Sequence, residues 1–137
     1  MTINVDQGKP YKPITESEKI SAEQLMKRPK TYHRGEVPDN VRFLVATIDV
    51  QAASFEVLIT GFDDIGSAYV IDRYSLKYSN RIDDDYDNQR KPIDPAKFAE
   101  DWEILIDEVM ERTYPLADGS GRVMRVRFGA TDSGGKD

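Results

Sequence analysis

The chain has 137 residues, 39% of them hydrophobic, which is enough for one globular domain with a buried core and too apolar for a disordered segment. It contains no cysteine, which excludes disulfide frameworks, thiolate nucleophiles, zinc-thiolate sites and iron-sulfur clusters, so any metal must be held by oxygen. A formal net charge of -6 argues against a domain that grips nucleic acid through a broadly basic surface, yet it is compatible with clustered carboxylates that take up cations.

Residues 1–40 read as a linker or N-terminal extension, punctuated by Gly8, Pro10, Pro13, Pro29 and Pro38 and poor in apolar residues. Within it, Ser21-Ala-Glu-Gln24 before Leu25 and Met26 has the form of a capping box, which predicts a short helix ending before Pro29. The single histidine, His33, lies among Lys30, Tyr32 and Arg34 and reads as a surface residue. No apolar run of about 18 residues occurs, and the N-terminus lacks the basic and apolar segments of a secretory leader. A cytoplasmic, non-membrane setting is expected.

From Val41 the composition changes to β-branched and aromatic runs. Val41 to Val50 is nearly all apolar and predicts a central strand buried on both faces, with Asp49 near its end. Ser54 to Phe62 and Ala68 to Tyr74 predict two further strands, joined by the turn Asp63-Asp-Ile-Gly66, so the three form an antiparallel meander. The polar stretch Ser75 to Asp94 contains Ile82-Asp-Asp-Asp-Tyr-Asp87. It has neither the glycine nor the glutamate of an EF-hand in register, so it reads as a solvated loop.

Asp94 and Pro95 then supply an N-cap and a first-turn proline, and Phe98, Trp102, Leu105, Ile106 and Val109 recur at helical spacing. This predicts a helix packed on the sheet and stopping near Tyr114-Pro115. Ala117-Asp-Gly-Ser-Gly121 makes a turn into a fourth strand, Arg122 to Asp132, in which Arg125 and Arg127 point opposite to Met124, Val126 and Phe128.

The order is β-β-β-α-β. A right-handed crossover through the helix would lay the fourth strand parallel to the first and beside it, so their carboxyl ends coincide. That brings Asp49 and Asp132 to one edge of an α/β sheet, where open sheets build their sites. Two converging carboxylates suggest a metal, although Asp49 as an acceptor of backbone amides and Asp132-Ser-Gly-Gly135 as a plain turn account for the same residues.

Thr47-Ile-Asp49-Val-Gln51, Phe55-Glu-Val, Gly61-Phe, Tyr69-Val-Ile-Asp72, Trp102, Ala117-Asp-Gly119 and Thr131-Asp132-Ser-Gly-Gly135 together resemble the nuclease domain of the lambda-like (GpA-type) phage terminase large subunit, over residues 41–135. Gly8-Lys-Pro-Tyr11 is similar to the segment that leads into that nuclease from the family's ATPase motor. The resemblance implies an RNase H-like mixed sheet in residues 41–137, and cutting of concatemeric double-stranded viral DNA during packaging. It also implies a terminase small subunit and a portal as partners.

Carried over, Asp49 corresponds to the first-strand acid that bridges two divalent cations and Asp132 to the acid of the fourth strand, with Mg2+ or Mn2+ as the cations. Such a pair, held about 4 Å apart, polarises a phosphate, activates water and stabilises the departing oxygen. The resemblance also leads one to expect a third acid from a helix past Asp137, and hence a fold incomplete on its C-terminal side.

No G-x-x-x-x-G-K-[ST] sequence occurs, so no ATP site is expected in this chain. The expectation is therefore part of a metal-dependent endonuclease, inactive or weak as it stands, with an exposed fourth-strand edge that favours self-association. The alternatives are a non-catalytic RNase H-like interaction module, such as a prophage remnant, and another RNase H-like nuclease such as a resolvase.

Overall fold

The computed structural model describes residues 23, 24, 27, 32–83 and 89–132. The chain divides into two compact units, 1–31 and 32–137. In the first, Glu23 and Gln24 are helical and the Lys27 amide donates to the Glu23 carbonyl at 3.1 Å. Most of the short helix expected around Ser21 lies outside the described residues.

The second unit carries a five-stranded mixed sheet and few helices. Its strands are β1 (Phe43–Val50), β2 (Phe55–Phe62), β3 (Ala68–Leu76), β6 (Thr113–Pro115) and β7 (Val123–Thr131), in the order β3-β2-β1-β7-β6. A separate two-stranded ribbon pairs β4 (Tyr78–Ile82) with β5 (Arg90–Pro92). The expected meander forms as β1, β2 and β3, each antiparallel to its neighbour, and β7 returns parallel to β1. Gly66 carries the 63–66 turn at φ 86°, a backbone state that glycine adopts without the clash of a Cβ.

Side chains alternate across this sheet because successive residues of a strand point to opposite faces. Leu44, Ala46 and Ile48 of β1 are buried with Phe55, Val57 and Ile59 of β2, Ile71 of β3 and Val126 of β7. Ile104, Leu105 and Val109 cover them, and Trp102 packs on Phe55 with ring centroids 5.2 Å apart. Each such large aliphatic or aromatic side chain contributes roughly 1.5–3 kcal/mol by leaving water. Val37 is also fully buried; its amide donates to the Pro115 carbonyl and its carbonyl accepts from Ala117, which ties residues 32–41 to β6.

Four expectations about the secondary-structure elements are corrected. The first strand is not buried on both faces, since Phe43, Thr47 and Asp49 are exposed opposite the core row. The long helix after Pro95 is replaced by a 3-10 turn at Ala99–Trp102 and a π-helical segment at Ile106–Met110, and Thr113–Pro115 is strand. The cause is Asp101, which is buried and receives Arg81 and the Asp94 amide on its carboxylate, so the face carrying it must turn inward while Ile106 turns out. The fourth strand is also no free edge along its first third, because β6 pairs with Val123–Arg125. Finally, the polar stretch after Ser75 contains β4 and β5 in addition to loop.

One irregularity shapes the outer face. The register between β1 and β7 shifts between Leu44 and Val45, so Val126 faces the core but Phe128 faces out beside Val45. Phe128 is 60% exposed, and it therefore does not share a face with Val126 as simple alternation required. Phe43 stacks on Phe62 at 5.6 Å and meets Phe128 edge-on at 6.4 Å, forming an aromatic cluster on that outer face.

Candidate functional site

The two sequence-singled acids come together through strand pairing. Ile48 of β1 is in parallel register with Thr131 of β7, and the Asp132 amide donates to the Ile48 carbonyl at 3.0 Å. Asp49 and Asp132 are the next residues along each strand. Because Ile48 is buried, both acids fall on the opposite, outer face at the carboxyl end of the central strand pair. Both line an open groove of about 560 Å³.

A third acid, Glu56, lines the same groove and was missed in the sequence. The signal was there: the Gln51 amide donates to the Ser54 carbonyl across a two-residue turn, and that hairpin register pairs Asp49 with Glu56. Reading the hairpin symmetrically about Ala52-Ala53 would have found it. Directly opposed residues of an antiparallel pair share a face, with Cβ atoms about 5 Å apart. The outer face thus carries Glu56, Asp49 and Asp132 on three adjacent strands.

Their environments differ. Glu56 accepts from the Ser75 hydroxyl at 2.6 Å and the Ser54 hydroxyl at 3.2 Å. The Ser75 bond above all holds its carboxyl below the usual glutamate range. One oxygen of Asp49 accepts from the Gln51 side-chain amide at 2.5 Å. That contact orients the carboxylate and leaves its second oxygen for another donor or cation. Among the described residues no group of three or more His, Asp or Glu side chains is gathered closely enough to hold a metal ion. Asp49 and Asp132 are two carboxylates at the same end of adjacent strands, and Glu56 is engaged by its serines.

Other singled-out residues lie elsewhere. His33 is exposed beside a turn and its amide donates to Glu36 at 3.2 Å. Arg125 and Arg127 are exposed on β7 and do not line the groove. In the acidic stretch, Asp83 meets Lys91 at 4.0 Å, and residues 84–88 lie outside the described residues, as do Gly134 and Gly135. Among the described residues no helix is long and apolar enough to cross a membrane.

A mixed, curled five-stranded sheet with few helices is consistent with an α/β nuclease-like fold. The match to family models makes the class specific. The chain belongs to the family of the terminase large subunit gpA endonuclease domain, whose model matches residues 1–137. The family supports a nuclease role in DNA packaging, with DNA as the substrate. No curated protein and no solved structure matches the chain.

Proposed function

We propose that this domain is a metal-dependent DNA endonuclease of a phage packaging terminase, built on an RNase H-like sheet, in which Asp49 and Asp132 hold Mg2+ or Mn2+. The observation that supports the reading is the parallel register of β1 and β7, which puts the Asp49 and Asp132 positions at the same end of adjacent strands on one exposed face. The donor set fits the cation. Both candidate ligands are hard carboxylate oxygens, and magnesium is ordinarily held by one or two carboxylates, with waters and substrate phosphate completing its shell.

When bound, the cation would supply charge stabilisation at the scissile phosphate and a more acidic water. The protein's own contribution is geometric. Strand pairing sets the spacing of Asp49 and Asp132, Gln51 fixes the rotamer of Asp49, and the two serines keep Glu56 out of competition. The terminase small subunit and portal are the partners this reading implies, and self-association through the uncovered outer face accompanies it.

The test is a manganese titration followed by NMR line broadening on the wild type and on Asp49→Asn. Saturable broadening around residues 47–49 and 130–132 that weakens in the variant supports the reading. Broadening that is diffuse, or identical in the two proteins, sinks it in favour of a non-catalytic interaction module.

A further inference from the structure

We infer that Arg73 of β3 anchors a DNA phosphate flanking the one that is cut. The inference rests on the nuclease reading of Asp49 and Asp132. The groove holding those acids is also lined by Arg73, the one basic side chain among its lining residues. In a chain of net charge -6, a groove walled by Asp49, Glu56 and Asp132 repels the phosphates it must receive. A cation set within that wall offsets the repulsion.

Register places Arg73 where this is useful. Thr47 pairs with Leu58 and Leu58 with Arg73, so the arginine shares the outer face and sits one row before the row of Asp49, Glu56 and Ser75. At about 4.8 Å per strand and 3.4 Å per residue, its Cα lies roughly 12 Å from that of Asp49. That separation suits a neighbouring phosphate, whereas the cut phosphate belongs beside the acids.

The backbone of Arg73 is fixed from the far side of the strand. Its amide donates to Asp72 Oδ1 at 2.8 Å, and its carbonyl accepts from the Arg34 guanidinium at 2.5 Å. The bulge between Ile59 and Thr60 sits just beyond, which lets Ile71 and Asp72 both turn inward while Arg73 stays out. The Arg73 guanidinium itself joins no ion pair among the described residues. Across the strands it attracts Glu56 at long range, while the hydrogen bonds of that carboxylate are supplied by Ser75 and Ser54. An exposed arginine with a fixed backbone presents a planar fork suited to a bidentate phosphate contact.

The experiment measures binding of a fluorescein-labelled DNA duplex by anisotropy across a salt series, with Mg2+ present. The full chain is used as wild type, Arg73→Ala, Arg73→Gln and Arg73→Lys, with Arg127→Ala as an off-groove control. Loss of one phosphate contact lowers the slope of log affinity against log salt by about 0.9. The expected result is that loss in the Ala and Gln variants and its recovery in the Lys variant. Arg127→Ala keeps the wild-type slope, and manganese binding at Asp49 and Asp132 is unchanged throughout.

A folded Arg73→Gln with wild-type slope and affinity overturns the inference, as does a wild type that shows no salt-dependent duplex binding. Absence of manganese binding by the wild type would overturn the nuclease reading, and the salt series then stands as a separate result. Manganese binding with a slope indifferent to Arg73 removes only the phosphate anchor.

Discussion

The Asp132 amide and the Ile48 carbonyl meet at 3.0 Å, and this backbone bond sets the second acid level with Asp49. Position is therefore independent of the carboxylates' own chemistry. Substituting them should remove function without removing the fold.

The double variant Asp49→Asn/Asp132→Asn is expected to melt within roughly 0.5 kcal/mol of wild type in the absence of metal, as exposed substitutions commonly do. The relief of like-charge repulsion makes a small gain the expected sign. In wild type, Mn2+ at one hundred times its Kd should stabilise by about 2.7 kcal/mol, and the double variant should lose that increment. Thermal melts with and without Mn2+, and after chelation, measure both quantities.

Asp101 is the centre of a buried polar network. It is fully buried, accepts from Arg81 Nε at 2.5 Å and Nη2 at 2.9 Å, and also takes the Asp94 amide at 2.7 Å. Arg81 lies over the Phe98 ring, 3.7 Å from its centroid, which shields the pair further. Breaking it should cost roughly 3 kcal/mol, since a buried charge loses its partner. Urea titration of Asp101→Asn and Arg81→Met tests this, and a cost under about 1 kcal/mol in both would contradict it.

The same pair predicts a pH dependence. The Arg81 hydrogen bonds hold the Asp101 carboxyl below the usual aspartate range. A depressed folded-state value means that the unfolded chain binds the proton more readily. The stabilisation is therefore complete above the unfolded value near about 3.9 and is lost as the pH falls through the lower folded value. In Asp101→Asn the stability curve below about pH 4 should be flatter than in wild type.

Gly61 admits no side chain. A Cβ there would lie 2.8 Å from Val41 Cγ1 and 3.3 Å from Ile71 Cδ1. Both neighbours are buried, so neither can swing into solvent. Gly61→Ala should destabilise by roughly 1–3 kcal/mol through overpacking, and Gly61→Ala/Val41→Ala should recover part of that loss. A denaturant series on the two variants decides it.

The outer aromatic cluster should make the domain associate. Phe128→Asp is expected to leave the melting temperature nearly unchanged, because Phe128 is 60% exposed, and to shift sedimentation profiles at high concentration towards the monomer. Concentration-independent sedimentation of wild type would remove the premise.

Much of this was legible where local pattern and tertiary environment agreed. β1, β2, β3 and β7 follow from β-branched runs bounded by turn residues, and the placement of β7 beside β1 follows from the crossover argument. The region from Pro95 to Pro115 was misread because Asp101 is charged, and its burial becomes tolerable through Arg81, twenty residues earlier, together with the Asp94 amide. Phe128 was assigned to the wrong face because alternation presumes an unbroken register, and the shift at Leu44/Val45 leaves no mark in composition. Glu56 was overlooked because attention stayed on strand ends, although the Ala52-Ala53 hairpin fixes its partner.

The parallel pairing of β1 with β7 has a temporal side. The candidate site exists only when the first strand of the sheet meets the last long one, across nearly the whole span of the second unit. Contacts so distant in sequence form late and slowly. A ribosome-bound chain that has not yet released β7 can hold the meander, yet it has no paired acids. The two acids thus become neighbours only once β7 has been made and has docked against β1.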